Sequence, residues 1–326
     1  HTGQNFSNTL SDIFFEQFGL VPDYFLGVPP GTPNSQMAEI MVRLEEIFLE
    51  FKPDLVVVVG DGNSTLAASL TANKMNIKLA HVESGLRSGD RTMPEEFNRL
   101  VTDELSDILF VTEQSGLDHL KEEERTGSIH FVGNTMIDTM VAFTEQIKTS
   151  EVLTKLVIEP KKYILMTMHR PSNVDTKEGL DLLLQLTERL TENYSVVFPV
   201  HPRTIKCMQQ FGMENSFRNN SRIVFTEPLD YFSFQNLIVH AKFVLTDSGG
   251  IQEETTFLQV PCLTLSPNTE RPVTVTLGSN VLLPFEVNGI MNCVKQIEEG
   301  SYKKSQIPPL WDGKATERIF EIISKI

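Results

Sequence analysis

Cysteine is scarce in this chain of 326 residues, and its scarcity excludes two kinds of structural support. The three cysteines, Cys207, Cys262 and Cys293, match neither a paired disulfide framework nor the spacing of a metal site. We therefore expect no bound metal, inert thiols, and a protein that works in the reducing cytoplasm.

Long apolar runs and an excess of positive charge are missing as well. No apolar run approaches the roughly 18 residues of a membrane span, and no signal peptide is visible. The formal net charge is −15 and the isoelectric point is near 4.9. Because neither nucleic acid nor an anionic membrane surface attracts so acidic a chain, we expect it to bind neither.

What the sequence does contain is a regular alternation of short apolar runs and helical patterns. The runs are continuously apolar, which is typical of parallel strands covered on both faces, and their alternation with helices predicts an α/β fold built from βαβ units. The predicted strands are Leu55–Val59, Lys78–Val82, Ile108–Thr112, Ile129–Val132, Tyr163–Met168, Ser195–Val200, Arg222–Thr226, Phe243–Leu245 and Val260–Leu265.

The length of the chain predicts two doubly wound domains of about 150 residues each. The best linker is the polar, weakly patterned segment 149–162. We expect a cleft between the two domains, with ligands bound beyond the carboxyl ends of the strands.

Polar residues follow the predicted strands at those ends. In the first half they are acids, namely Asp61, Glu83 and, just beyond, Glu95. In the second half they are cations and hydrogen-bond donors, namely His169, Arg170, His201, Arg203 and the turn Ser248-Gly249-Gly250. A ligand that suits both sets is a sugar joined to a nucleoside diphosphate, with its sugar against the acids.

The most informative stretch is Thr246–Glu254, which reads Thr-Asp-Ser-Gly-Gly-Ile-Gln-Glu-Glu. A strand, a Ser-Gly-Gly turn and a helix start together make an anion site, because the first helical N–H groups are free. One turn into the helix, Glu254 could accept hydrogen bonds from two ribose hydroxyls. The alternative is that Asp247 or Ser248 is only an N-cap and the two glutamates are ordinary first-turn acids.

The acids of the first half have structural alternatives too. Asp61 could be the N-cap of the following helix. Thr92 and Glu95 match a capping box, with Pro94 at the helix start. Glu83 has no such alternative, since it directly follows a strand and precedes a glycine.

Four further residues are expected to have a structural role or an undecided one. His81 should point away from the ligand because successive strand residues alternate between faces. Arg87 and Asp90 are expected to form a loop ion pair of little energetic value. His201 is either a ligand contact or a structural histidine.

Six motifs occur in a fixed order: Gly60-Asp61, His81–Arg87, Pro94–Arg99, His169-Arg170, Thr246–Glu254 and Thr269–Pro272. Together they closely resemble the bacterial and archaeal non-hydrolysing UDP-N-acetylglucosamine 2-epimerases. The resemblance covers essentially the whole chain.

This resemblance implies a two-domain fold like that of B-type glycosyltransferases, usually as a homodimer, with the last helix crossing back onto the first domain. The expected domains are therefore 1–150 with 313–326, and 151–312. The implied activity interconverts UDP-GlcNAc and UDP-ManNAc without a cofactor.

The same resemblance assigns roles to individual residues. Asp61, Glu83, Glu95 and His169 match the catalytic positions of the family. A second UDP-GlcNAc can bind in the family as an activator, and the candidates for that site are Gln4, Arg87 and His201. The positions that match UDP or sugar binding are Arg170, Phe234 (where the family packs a residue against uracil), Ser248, Gly249, Gly250, Glu254 and Arg271.

The chain also departs from the family pattern. The family begins with a strand and a Gly-Thr-Arg-Pro-Glu turn, whereas this chain opens at His1-Thr2-Gly3-Gln4-Asn5. We therefore predict that the first strand and part of the phosphate-binding site are missing. Gly62, Ser84 and the run Pro171-Ser172 replace residues that are commoner in the family, which leaves the substituents of the sugar open.

The implied reaction begins with loss of UDP from carbon 1, because no carbonyl acidifies the hydrogen on carbon 2. Loss of that proton gives a 2-acetamidoglucal, and protonation from the opposite face with return of UDP gives the epimer. Three alternatives stay open: a glycosyltransferase of the same fold, a hydrolysing epimerase that releases ManNAc, and a nucleotide-sugar sensor without turnover.

Overall fold

The computed structural model describes residues 1–3 and 14–326, so the activator candidate Gln4 lies outside the described residues. The chain divides into two compact units. Unit 1 comprises residues 1–138 and 309–326, and unit 2 comprises residues 139–308. The boundary near residue 138 falls within the helix Thr135–Ala142. The domain limits derived from the sequence, 150 and 313, stay predictions.

Unit 1 is built on a four-stranded parallel sheet in which each strand pairs with the next along the chain. The strands are β1 Leu55–Val59, β2 Lys78–Ser84, β3 Ile108–Val111 and β4 Ser128–Phe131. The helices of unit 1 with full bounds are Pro33–Phe51, Asn63–Lys74, Pro94–Leu105, Gln114–Glu122 and Ala315–Ile323. Because the strands are parallel, the residues that follow β1 and β2 lie at the same edge of the sheet.

Unit 2 is built on a six-stranded parallel sheet with the order β10-β9-β8-β5-β6-β7. Its strands are β5 Tyr163–Thr167, β6 Ser195–Pro199, β7 Ile223–Thr226, β8 Val244–Thr246, β9 Cys262–Leu265 and β10 Asn280–Leu283. Its helices are Thr144–Lys148, Val152–Leu156, Pro171–Val174, Lys177–Leu190, Pro202–Gln210, Glu214–Arg218, Tyr231–His240, Gly249–Leu258, Pro272–Thr276 and Val287–Glu298.

The central strands of unit 2 are almost wholly buried, as their continuous apolarity predicts. All residues of β8 and β9 are buried, and so are the first four of β5. Layers of apolar side chains pack on both faces of this sheet, one around Leu183 and Phe198 and the other around Tyr163 and Leu237. The two-domain α/β fold predicted from the sequence is thus confirmed.

The order of the strands in unit 2 reverses at β5. From β5 the chain moves outward to β6 and β7, and it later returns to place β8 on the other side of β5. The loops after β5 and β8 therefore lead away in opposite directions, which opens a crevice at the carboxyl ends of these two strands. His169 follows β5 and Ser248 follows β8, so the fold itself brings these two residues together.

The nine predicted strands are all present, with ends within two residues of the prediction. The sequence analysis did not predict the long helix Pro33–Phe51 or the strand β10. The helix has clear local signals, since the Thr32 side chain accepts a hydrogen bond from Ser35 N and Pro33 occupies its first position. Its apolar residues Met37, Ile40, Met41, Leu44 and Ile47 also recur at helical spacing and pack in one cluster, so the sequence does carry the signal for this helix.

The segment proposed as a linker, 149–162, is part of the packed structure of unit 2. It contains the helix Val152–Leu156, and Val152 is buried in the apolar layer beside Tyr163 and Leu237. Within the described residues, none of the helices combines the length and apolarity that crossing a bilayer requires.

Candidate active site

Asp61 lies in the turn after β1 and is held by the helix Pro94–Leu105. Arg99 on that helix places its Nε and Nη2 atoms 2.9 Å from the Asp61 carboxylate, and Asn98 donates to the Asp61 carbonyl at 2.8 Å. Arg99 is in turn held by Glu96 at 2.6 Å. The following helix has Gly62 at its N-cap, with no side-chain capping bond, so the capping alternative for Asp61 is wrong. Arg99 thus fixes the Asp61 carboxylate, whose side chain stays 34% exposed.

Glu83 occupies a strained backbone position near the end of β2. Its φ angle is 70°, in the left-handed region that costs a non-glycine residue on the order of 1 kcal/mol. The register with β3 shifts between Val82 and Ser84, so Glu83 is the extra residue of a β-bulge. A Cβ atom built on Gly60 would lie 4.0 Å from Glu83 Oε2. The bulge thus turns the Glu83 carboxylate toward the Gly60-Asp61 turn.

Glu95 lies in the first turn of the helix Pro94–Leu105, but it takes no part in a capping box. The N-cap residue is Met93, without a side-chain bond, and Thr92 donates its hydroxyl to Asp90 at 2.6 Å. The capping-box interpretation of Glu95 is therefore wrong. Within the described part of the chain, the half-buried Glu95 carboxylate has no hydrogen bond or ion pair.

The three candidate acids of unit 1 are gathered by this one helix. Glu95 and Asn98 are three residues apart and therefore lie on the same face of the helix. Asn98 contacts the backbone of Asp61, and the adjacent Gly60 lies against the Glu83 carboxylate. The structure thus brings Asp61 and Glu83 to one edge of the unit 1 sheet and places Glu95 on the helix face that contacts the Asp61 turn.

Arg87 is not paired with Asp90, and the predicted loop ion pair is wrong. The nearly buried Arg87 guanidinium lies 2.7 Å from Asp103 and 2.7 Å from Glu123. Burial works to lower the pKa of Arg87, but the hydrogen bonds and charges of these two carboxylates outweigh it and raise that pKa. An activator that binds Arg87 would have to compete with two carboxylates already in place.

In unit 2, His169 is oriented by a buried aspartate from the loop after β8. His169 Nδ1 lies 2.8 Å from Asp247 Oδ1, and the backbone N–H groups of His169 and Arg170 donate to the same carboxylate. Burial acts to raise the pKa of Asp247, but the hydrogen bonds and charge of His169 and the backbone donors hold it below its usual range. With Nδ1 bonded to Asp247, the Nε2 atom of the 40% exposed ring is left for a ligand.

A cavity of about 300 Å³ opens beside His169 at the switch point of the sheet. His201 lies next to His169 with a ring-centroid distance of 5.5 Å, and partial burial together with the charge of His169 lowers the pKa of His201. The cavity is lined by apolar side chains, among them Leu229 and Phe234, and by polar ones, among them Ser248. Its lining residues are Thr167, Met168, His169, Pro199, His201, Pro228, Leu229, Phe234, Ser248 and Ile251.

The Ser-Gly-Gly turn begins the helix Gly249–Leu258 as predicted. Ser248 is the N-cap residue but makes no side-chain capping bond. The Arg271 guanidinium lies so close to Gly249 that an added Cβ atom there would be 3.2 Å from Arg271 Nη1. Arg271 is fixed by Glu253, whose carboxylate lies 2.6 Å from Arg271 Nε. Glycine at 249 therefore lets a cation approach the N-terminus of the helix, where an anion is also favoured.

Glu253 and Glu254 lie in the second turn of this helix and are buried, so the interpretation as ordinary first-turn acids is wrong. Burial raises the pKa of Glu254 to about 8, and the neighbouring Glu253 adds to the rise while Gln235 opposes it. At neutral pH the Glu254 carboxyl therefore holds a proton for much of the time.

Two further cations of unit 2 are engaged with protein groups. Arg170 donates from Nη1 to Ser266 Oγ at 2.9 Å. Arg203 is held by Asp175 through two bonds of 2.7 and 2.6 Å. Of the residues that the sequence places at the strand ends of unit 2, His169, His201 and Ser248 line the cavity. His201 accepts a hydrogen bond through Nδ1 from the backbone N–H of Arg203 at 3.1 Å and so caps the helix Pro202–Gln210.

The sequence analysis assigned no role to several residues that position the site. Arg99 belongs to the motif Pro94–Arg99 and follows Glu95 by four residues, but its contact with Asp61 spans 38 residues. Asp247 was considered only as a cap, although it accepts from His169 across 78 residues. Asn173 donates to the same aspartate at 3.1 Å. In the described residues there is no group of three or more His, Cys, Asp or Glu side chains that could hold a metal ion.

Comparison with known proteins finds relatives over nearly the whole chain. Residues 1–324 match the family model described as UDP-N-acetylglucosamine 2-epimerase. The chain is 38% identical over 330 residues to the UDP-N-acetylglucosamine 2-epimerase of Methanococcus maripaludis, covering 99% of this chain and 90% of that one. It is 35% identical over 331 residues to the UDP-2,3-diacetamido-2,3-dideoxy-D-glucuronate 2-epimerase of Pseudomonas aeruginosa, covering 100% of this chain and 90% of that one.

Solved structures give the same result for the fold. The structure is similar to the crystal structure of Methanocaldococcus jannaschii UDP-GlcNAc 2-epimerase in complex with UDP-GlcNAc and UDP, with a TM-score of 0.90 and 38% identity. The similarity covers 100% of this chain and 91% of that one. Both sequence and fold therefore point to one group of nucleotide-sugar enzymes.

Proposed function

The chain belongs to the UDP-N-acetylglucosamine 2-epimerase family, and from this premise we propose that it reversibly epimerises carbon 2 of UDP-GlcNAc to give UDP-ManNAc. The observation that carries the proposal is a contrast between the units. Unit 2 has a cavity with a His–Asp pair and a helix N-terminus, whereas unit 1 has two carboxylates at one sheet edge and a third on the helix face that contacts the Asp61 turn. The proposal requires both sets to act on the same substrate molecule.

Unit 2 has the chemistry needed to hold UDP. The aromatic ring of Phe234 in the cavity lining suits contact with the flat uracil base. The Ser248-Gly249-Gly250 turn offers free backbone N–H groups to the diphosphate. Arg271 adds a positive charge at the same helix end. Glu254, farther along the helix, is proposed to bind the ribose hydroxyls.

The reaction begins when the C1–O bond breaks and its electron pair leaves with UDP. His169 Nε2 and the helix N–H groups stabilise the negative charge that develops on the diphosphate. As carbon 1 becomes cationic, the proton on carbon 2 becomes removable, and its C–H electron pair forms the C1=C2 double bond of a 2-acetamidoglucal. A proton added to the opposite face of carbon 2, with return of UDP to carbon 1, gives the epimer. No cofactor enters these steps.

The surroundings of the three acids favour different roles. Asp61 is paired with Arg99, and a carboxylate held in place in this way suits stabilisation of the cationic sugar. Glu83 and Glu95 are proposed to carry the proton to and from carbon 2 on its two faces. Clustered carboxylates raise one another's pKa, so one of them can be protonated while its neighbour is ionised.

The N-acetylglucosamine substrate is part of the proposal, since a relative with 35% identity carries the name of a diacetamido-glucuronate epimerase. We take the simpler sugar because the family model that matches 1–324 carries its name. A homodimer and a cytoplasmic location complete the proposal, the first from the family resemblance and the second from the unpaired cysteines.

Exchange with solvent tests this mechanism directly. The full-length protein is incubated with UDP-GlcNAc in heavy water, and the UDP-sugars are analysed by NMR. Deuterium should appear at carbon 2 of both epimers because the abstracted proton is lost to solvent. Retention of protium in a product that has epimerised would rule out elimination. Free ManNAc with UDP would indicate hydrolysis, and turnover that needs an acceptor would indicate a glycosyltransferase.

Variants at Glu83 separate catalysis from simple nucleotide sensing. Glu83→Gln should lower the exchange rate about a thousandfold, since positioned acid–base groups contribute of that order, while UDP still binds. Glu83→Gly is the matched control for folding, because glycine accepts the φ of 70° without strain. It should lose the same activity and keep full stability. Unchanged exchange in both variants would contradict the assigned role of Glu83.

A further inference from the structure

Asp103 is a buried carboxylate of unit 1 that has no place in the reaction just described. It lies in the helix Pro94–Leu105 and is 1% exposed. Its Oδ1 atom lies 2.6 Å from His81 Nδ1. Its Oδ2 atom accepts from the backbone N–H of Gly85 at 3.0 Å and pairs with Arg87 at 2.7 Å. Three donors from one strand and the loop after it therefore meet on a single carboxylate.

The partners of Asp103 connect it to the two turns that carry candidate acids. Gly85 follows Glu83 by two residues, so its bond to Asp103 anchors the loop just after the β-bulge. His81 uses its other nitrogen, Nε2, to contact the carbonyl of Gly60 at 2.9 Å. Gly60 directly precedes Asp61. One carboxylate and one ring thus tie the Asp61 turn to the Glu83 turn.

Both ring nitrogens of His81 face groups that accept hydrogen bonds. Nε2 faces the backbone carbonyl of Gly60, and Nδ1 faces the Asp103 carboxylate. Burial acts to raise the pKa of Asp103, but the hydrogen bonds and charges of His81 and Arg87 outweigh it, and the pKa lies below its usual value. The His81 ring is fully buried between these two acceptors.

We propose that Asp103 and His81 are positioning residues for the reaction, and that the buried His81 ring donates from both nitrogens and so holds the Asp61 turn and the Glu83 bulge at a fixed separation. The proposal rests on the epimerase function above, since it gives those two turns their roles. A neutral His81 has one proton for two acceptors, so either Gly60 or Asp103 would lose its bond. The turn or the bulge would then shift, and catalysis is sensitive to displacements of about 1 Å.

Substitution of Asp103 tests the positioning role through kinetics. Asp103→Asn keeps the size of the side chain and removes the charge that holds the imidazolium. We expect kcat to fall about a hundredfold, while KM and the affinity for UDP stay within about twofold, because the nucleotide residues lie in unit 2. A loss confined to KM, or an unchanged kcat in a folded variant, would overturn the proposal.

Glu123→Gln is the matched control for structural damage. It removes a carboxylate from the far side of Arg87, where Arg87 Nη2 lies 2.7 Å from Glu123 Oε2, and it touches neither acid-bearing turn. It should lower stability comparably and leave kcat within about twofold of the wild type. An equal fall of kcat in Glu123→Gln and Asp103→Asn would mean that the network is merely structural.

Nitrogen-15 NMR of the histidine rings decides the charge without any substitution. In the wild-type protein the signals of His81 should show both ring nitrogens protonated at neutral pH, and His81→Gln identifies them by their disappearance. A neutral His81 ring would overturn the proposal even if the Asp103 variant failed to fold. If the wild type shows no exchange at carbon 2, the proposed function fails, whereas the NMR result still decides whether the ion pair exists.

Discussion

The two units contain the same pair of side chains in opposite settings. In unit 1, His81 bonds Asp103 through Nδ1 at 2.6 Å, and in unit 2, His169 bonds Asp247 through Nδ1 at 2.8 Å. Both aspartates also accept from backbone N–H groups near a strand end. The His81 ring is wholly buried, and its second nitrogen contacts the Gly60 carbonyl. The His169 ring is 40% exposed, and its second nitrogen stays free beside the cavity.

This difference shows how one interaction serves two purposes. A His–Asp pair in which both ring nitrogens are hydrogen-bonded to protein groups holds chain segments together. The same pair with one nitrogen left open presents a donor of fixed orientation to a ligand. The role of each histidine therefore depends on the partner of Nε2 and on burial, and the predictions below test that distinction.

The largest effect should come from replacing the two histidines by the same residue. His169→Asn should lower kcat several-hundredfold, as loss of one preorganised donor does, and cost about 1 kcal/mol of stability. His81→Asn should cost about 3 kcal/mol, because it leaves the buried Asp103 with one partner fewer. The measurements are exchange at carbon 2 and urea unfolding. Equal losses of stability in His169→Asn and His81→Asn would contradict the distinction between the exposed and the buried His–Asp pair.

A smaller effect is expected at Glu254, where binding and pH dependence can be measured together. Glu254→Met removes both oxygens proposed to accept from the ribose hydroxyls, so the Kd for UDP should rise about tenfold by calorimetry. The variant should still fold, since burial already keeps Glu254 protonated for much of the time at neutral pH. Unchanged UDP affinity would exclude the ribose contact.

The pH dependence of stability at this residue follows from its pKa of about 8 in the folded state. In the unfolded chain the carboxyl ionises near its ordinary pKa of 4.5. Since the folded state binds the proton more tightly, Glu254 costs stability progressively as pH rises from about 4.5 to about 8. The Tm of Glu254→Gln should therefore rise relative to that of the wild type as pH increases from about 4.5 to about 8. A constant difference across it would show that Glu254 is ionised in the fold.

The smallest effect concerns two threonines that precede prolines at helix starts. Thr32→Ala should cost about 1 kcal/mol, because the Thr32 side chain accepts from Ser35 N. Thr92→Ala should change stability by less than about 0.5 kcal/mol, because Thr92 bonds Asp90 rather than the helix. Urea unfolding of both variants checks this. A cost of about 1 kcal/mol at Thr92 would restore the capping interpretation of Glu95.

The alternation of strands and helices could be predicted from sequence because it depends on local apolar patterns. Each of the nine predicted strands appears within two residues of its expected bounds. The helix Pro33–Phe51 was not predicted, although Pro33 stands at its first position and its apolar residues from Met37 to Ile47 recur at helical spacing. The turn at Ser248 was predicted for the same local reason as the strands: glycines directly after a strand and before a helix have few other uses.

The partners of the functional side chains depend on contacts between distant parts of the chain. Asp61 meets Arg99, and Asp247 meets His169, across 38 and 78 residues, and neither pairing has a local signature. The left-handed φ of Glu83 is likewise imposed by the bulge against β3 rather than by its own preference. The sequence by itself determined which residue types stand at the strand ends. Only the tertiary structure decided which histidine is buried and which faces a ligand, because burial is a property of packing and not of the chain.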